Sequence, residues 1–112
     1  MPPETPLRID LVFDSECPHL SHARAVLRDA LTATGIKAEW HEWDREHAAT
    51  PEEFRRFGSP TILVNGADVA DAEANHHAGA RCCRVYPSAG RLLGAPPVPS
   101  IVKALTAVRR RP

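Results

Sequence analysis

The side chains best suited to chemistry in this sequence are three cysteines, Cys17, Cys82 and Cys83. Cys17 lies in Asp14-Ser15-Glu16-Cys17-Pro18-His19, where the apolar run Ile9, Leu11, Val12 and Phe13 gives way to helical spacing. A thiol at a strand-to-helix junction stands beside unpaired backbone N–H groups and the positive end of a helix dipole. Both favour a nucleophilic thiolate. Asp14 and Glu16 work against it, because nearby anions disfavour a second negative charge. His19 and His22 could assist as cations or proton acceptors, although an exposed helix position is the commoner fate of such residues. The alternative is equally simple: free cysteine is often a small buried hydrophobe.

Cys82 and Cys83 are adjacent, so in an extended strand they point to opposite faces and at most one can readily approach Cys17. Cys83 would share a face with Val85, and Cys82 with Arg84 and Tyr86. Periodicity leaves open which of the two does so. His76-His77 with Asp71, Glu73 and Cys82 brings nitrogen, oxygen and sulfur ligands into a short span. The spacing matches no zinc pattern, and a solvated loop is the expectation. A soft ion such as Hg²⁺ or Cu⁺ would prefer the sulfurs, making Cys17, Cys82 and Cys83 the candidate metal ligands. Trp40 and Trp43 are expected to pack a core or an edge, and Arg109-Arg110-Arg111 suits a helix C-terminus.

The elements that must position these groups follow from periodicity. Arg8 to Phe13 predicts a strand buried on both faces. Pro18 fits a first helical position; Leu20, Ala23, Leu27, Ala30 and Leu31 recur at helical spacing, and Gly35 stops the helix. Ile36 to Trp43 alternates, with Ile36, Ala38 and Trp40 on one face, and predicts a half-exposed edge strand. Two strands joined by one helix form a βαβ unit. Thr50-Pro51-Glu52-Glu53 predicts a short helix through Phe57, with Thr50 as its N-cap and Pro51 at its first position. Thr61 to Val64 is a further strand, followed by the turn signal Asn65-Gly66. Arg81 to Tyr86 is expected to add a strand after an enlarged link, and Val98 to Val108 a last amphipathic helix.

Composition narrows the function classes. A chain of 112 residues is one domain, long enough to bury a core without disulfide staples. Its formal net charge of +0 gives no reason to expect nucleic acid or an anionic membrane as a partner. No stretch approaches the roughly 18 apolar residues of a membrane span. Met1 to Pro6 has neither a basic nor an apolar segment, so no signal peptide and a cytoplasmic location are expected. Sparse, odd-numbered cysteines suit free or catalytic thiols better than a structural framework. No cofactor is expected.

The order β-α-β-α-β-β-α, with Cys17-Pro18 ending the first strand and Gly58-Ser59-Pro60-Thr61 opening the third, resembles the thioredoxin-like superfamily. More narrowly, the chain is similar to small bacterial members with a Cys-Pro element, a Gly-Ser-Pro-Thr-Ile-Leu-Val-Asn-Gly element and a later Cys-Arg-x-Tyr, here Cys83-Arg84-Val85-Tyr86. Some of these carry an alkylmercury-lyase label. The resemblance implies an α/β fold with a mixed four-stranded sheet and helices on both faces. It also implies Cys17 as the reactive thiol, Cys83 as the second functional sulfur, and a cis-proline at Pro60. Pro18, Ser59, Pro60 and Thr61 would form the binding surface. The chain departs from the dithiol members, since the fourth position of Cys-x-x-Cys is Leu20, and disulfide exchange then needs another resolving thiol.

Three functions follow as expectations. In the first, Cys17 attacks a disulfide or other electrophilic sulfur and Cys83, or else Cys82, resolves the adduct. In the second, two or three thiolates gather a soft metal ion, for sequestration or for carbon–mercury cleavage with Asp14 as proton donor. In the third, the fold is a non-catalytic binding module and Cys17 is packing.

Overall fold

A computed structural model describes residues 7–70, 86–88 and 90–110. Strand β1 (Ile9–Phe13), helix α1 (Leu20–Thr34), strand β2 (His41–Asp44), helix α2 (Glu52–Arg55), strand β3 (Thr61–Val64) and strand β4 (Ala67–Asp68) build the body of the molecule. The hairpin of β5 (Tyr86–Ser88) and β6 (Arg91–Leu93) and helix α3 (Val98–Arg110) complete it. The four-stranded sheet has the order β2-β1-β3-β4, and the hairpin is a separate two-stranded sheet. Strand β1 runs parallel to β2 and antiparallel to β3, which pairs antiparallel with β4. The molecule is therefore an α/β protein on a mixed sheet.

Alternation along β1 and β3 decides which side chains meet which helices. Ile9, Leu11, Ile62 and Val64 pack with Ala23, Leu27 and Ala30 of α1 and with Ile101 and Leu105 of α3. On the opposite face Val12 and Leu63 pack with Phe54 of α2, and Trp43 and Phe57 close over them. The Trp43 and Phe54 rings stack 5.0 Å apart. Asp10 shares that second face and is buried in β1. Its carboxylate accepts from Trp43 Nε1 at 2.8 Å and from Arg8 Nε at 3.0 Å, which meets the requirement that a buried charge be paired.

Several boundaries differ from those expected. Helix α1 starts at Leu20, not at Pro18. The N-cap His19 has φ −99° and ψ 5°, outside the helical region. Its far end is as expected: Gly35 is left-handed with φ 69°, its N–H reaches Thr32 O, and Ile36 N–H reaches Leu31 O at 3.2 Å. Residues 36–40 keep the expected alternation, with Ile36, Ala38 and Trp40 against the core, but the strand itself begins only at His41. The reason lies in register, since pairing with β1 starts at Asp10 opposite His41. Thr50 does not cap α2. Its hydroxyl donates to Asp44 O at 2.6 Å, and Pro51 takes the N-cap position.

The fourth strand is Ala67–Asp68 rather than a segment ending at Tyr86. Asn65 and Gly66 both have positive φ, 50° and 82°, so the chain reverses at once and β4 pairs beside β3. Tyr86 opens the hairpin instead, and residues 81–85 of the expected strand lie outside the described residues. Among the described residues, no helix is long and apolar enough to cross a membrane.

Leu105 is fully buried where α3 meets the sheet-facing core. Leu105→Ala is expected to lower stability by about 2–5 kcal/mol, read as a drop in the urea midpoint at constant slope.

Candidate functional site

Cys17 occupies the turn that joins β1 to α1. Its N–H donates to Asp14 O at 2.9 Å, and its carbonyl accepts weakly from Leu20 N–H at 3.4 Å. The thiol is free and buried, with 7% of the residue exposed. It precedes the helix instead of capping it, and a dipole's influence falls off within the terminal turn. The proline that follows disfavours helical backbone at Cys17. Pro18 itself is exposed.

Asp14 ties this turn to the rest of the sheet. Its N–H donates to Ser59 Oγ at 2.8 Å, across from the start of β3. Its carboxylate accepts from Arg45 Nη1 at 3.1 and 3.2 Å, and both side chains are largely buried. Arg45 arrives there by register: β2 ends opposite Phe13, and Arg45 N–H bonds to Phe13 O at 2.8 Å. Burial pushes the Asp14 carboxyl above its ordinary range, and the Arg45 charge opposes that rise.

The residues around Pro60 are closed. Ser59, Pro60 and Thr61 are all buried. The Ser59–Pro60 peptide bond is cis. The Thr61 hydroxyl donates to Gly58 O at 2.7 Å. Tyr86, 1% exposed, donates its hydroxyl to Pro60 O.

The loop after β6 also meets the Cys17 turn, through His19. At Gly94 a Cβ would lie 2.4 Å from His19 Nδ1 and 2.5 Å from its Cγ, so the half-buried imidazole rests directly on that glycine. His22 is exposed on α1. Chain segments distant in sequence thus converge here: the Cys17 turn, the start of β3, Arg45, Tyr86 and Gly94.

Cys82 and Cys83 lie outside the described residues, as do His76, His77, Asp71 and Glu73. Among the described residues, no group of three His, Cys, Asp or Glu side chains is placed to hold a metal ion. Trp40 and Trp43 are structural: Trp40 packs on the core and donates Nε1 to Glu42, which also binds Arg24 of α1. A shallow groove of about 750 Å³ beside the end of α1, lined by Arg28, Leu31, Ile36 and Trp40, shares no residue with the Cys17 site.

Nothing in the sequence alone marks Arg45, Tyr86 or Gly94 as part of this site. Arg45 would have followed from the parallel register, had it been known. Tyr86 belongs to the Cys83-Arg84-Val85-Tyr86 element, which does not show that its hydroxyl meets Pro60, and Gly94 carries no local signal. No protein-family model, curated protein or solved structure matches the chain.

Two outcomes are expected of this arrangement. Arg45→Leu strips a buried carboxylate of its cation and should cost about 3 kcal/mol near neutral pH. A carboxyl raised in the folded state favours folding at low pH and loses that contribution as pH rises through its folded value. The Arg45→Leu deficit should therefore shrink as the pH is lowered, in denaturation midpoints taken across the acid range. Gly94→Ala should displace the His19 ring and cost about 1–3 kcal/mol. His19→Ala in the same background should recover most of that loss, as a double-mutant cycle would show.

Proposed function

We propose that the chain is a thioredoxin-like thiol protein whose working group is Cys17, acting on disulfide sulfur in the cytoplasm. One observation carries the reading. The turn holding Cys17 is bonded through Asp14 N–H to Ser59 Oγ, which brings the thiol's loop to the Ser59–Pro60 start of β3. The sheet order β2-β1-β3-β4, with β1 and β2 alone parallel and α1 between them, supports the same fold.

The chemistry follows from the thiolate as nucleophile. Cys17 loses its proton and attacks one sulfur of a disulfide. A Cys17–sulfur bond forms, the substrate S–S bond breaks, and the leaving thiolate takes up a proton. Cys83 then attacks the Cys17 sulfur, closing a protein disulfide and releasing the second substrate thiol. The substrate is reduced to two thiols and the protein dithiol is oxidised, to be reduced again by an external thiol. The Arg45–Asp14 pair and the His19 seat on Gly94 hold the turn in place; neither takes part in electron transfer.

Cys17→Ser should lower disulfide reduction by at least about a hundredfold, to the level without protein. Cys83→Ser should release one thiol per chain and leave a mixed disulfide on Cys17, read by peptide mass spectrometry. An unchanged rate in Cys17→Ser would remove the proposal.

A further inference from the structure

We infer that two copies of this chain pair about a two-fold axis, through residues 36–40 laid antiparallel against the same segment of the second copy. These residues lead into β2, which borders the four-stranded sheet and has only β1 beside it. Arg45 N–H reaches Phe13 O at 2.8 Å, so alternate residues back along β2 turn their backbone groups to β1 and the others turn theirs outward. Asp44 belongs to the outward set, and the Thr50 hydroxyl already closes its carbonyl at 2.6 Å. The alternation of burial continues from β2 through residues 36–40, which places Ile36, Ala38 and Trp40 in the same outward set. Ile36 N–H is bound to Leu31 O at 3.2 Å. Among the described residues, no hydrogen bond occupies the N–H groups of Ala38 and Trp40.

The side chains of this stretch complement a copy of itself. Its sequence is Ile36-Lys37-Ala38-Glu39-Trp40. Ile36, Ala38 and Trp40 are half-buried against the core, while Lys37 and Glu39 are exposed on the other face. A two-fold axis through Ala38 sets each Lys37 opposite Glu39 of the other copy. On the core side it sets each Ile36 opposite the other Trp40, and the small Ala38 side chains meet at the axis. Opposite charges and apolar–aromatic pairs are favourable cross-strand neighbours. Moving the axis by one residue would oppose Lys37 to Lys37 or Glu39 to Glu39, so charge selects the register. Among the described residues, neither Lys37 nor Glu39 has an ion-pair partner within the chain.

Backbone and surface agree with that register. The two Ala38 residues exchange N–H to carbonyl bonds, and each Trp40 N–H meets the free Ile36 carbonyl of the other copy. The groove at the end of α1 is lined by this same segment together with Leu31, so pairing brings its apolar floor under cover. A formal net charge of +0 lets the copies meet without overall repulsion. An isologous pair closes at two copies. The paired stretch is short for an interface, so a dissociation constant between about 10 µM and 1 mM is expected.

Sedimentation equilibrium of the full chain tests this, in excess reductant so that disulfide-linked dimers are excluded. The average mass should climb with concentration from the 12.3 kDa of one chain toward twice that value. Lys37→Glu sets like charges against each other at both pairs, and should weaken the dimer by at least about tenfold. Glu39→Lys should do the same from the other side. Combining Lys37→Glu with Glu39→Lys restores opposite charges, and should bring the dissociation constant back to within about threefold of the wild type. A mass that stays at 12.3 kDa up to about 1 mM would overturn the inference. A dimer that both single variants leave intact would overturn it too, as would a loss that the double variant does not recover. Both positions are exposed, and circular dichroism of each variant checks that the fold is kept.

Discussion

Everything in this molecule hangs on β1 being covered on both faces and paired on both edges. Ile9 and Leu11 meet α1 and α3, Val12 meets the Phe54 side, and hydrogen-bonded neighbours flank the strand. A strand so enclosed has one acceptable register with each neighbour, since a slip of one residue would turn its apolar set onto the wrong layer. That constraint delivers the loops at its end to fixed places. Val12 opposite Thr61 puts Ser59 within reach of the Asp14 N–H, and Phe13 opposite Asp44 puts Arg45 beside the Asp14 carboxylate. The Cys17 turn has a fixed position because Asp14 is held from two directions.

The same strand carries the fold's least expected side chain. Asp10 is an acid in the middle of an apolar run, 1% exposed. Desolvating a carboxylate is costly, and the cost is met by an indole N–H and a guanidinium that both reach it from the second face. Trp43 therefore does two jobs. Its ring stacks on Phe54 while its nitrogen neutralises part of the strand's polarity.

The conformation is legible in the sequence where one residue type suffices to produce it. Gly35 as a left-handed helix stop, Asn65-Gly66 as a reversal with both residues at positive φ, and the helical stripe containing Ile101 and Leu105 all depend on their own neighbourhood. Boundaries set by distant contacts were not legible. Pro18 is permitted at the start of a helix, but His19 is seated on Gly94 and α1 begins after it. Thr50 is a good cap by type, yet its hydroxyl is drawn to the Asp44 carbonyl. At the candidate site, Cys17 and Pro60 stood out by motif. Tyr86 belongs to a motif too, but its contact with Pro60, like the places of Arg45 and Gly94, is defined only by where the sheet and hairpin carry these residues.

The borders of the sheet have a consequence of their own. The strand at one margin, β2, is four residues long and opens with exposed His41 and Glu42; at the other margin β4 has only two residues. A margin of unpaired N–H and C=O groups is a template on which copies of a chain can stack into fibres, and its danger grows with length and apolar character. Among the described residues, each margin of the four-stranded sheet is short, and β2 is polar where it opens, which limits that growth. A sheet can limit self-templating in this way without closing into a barrel.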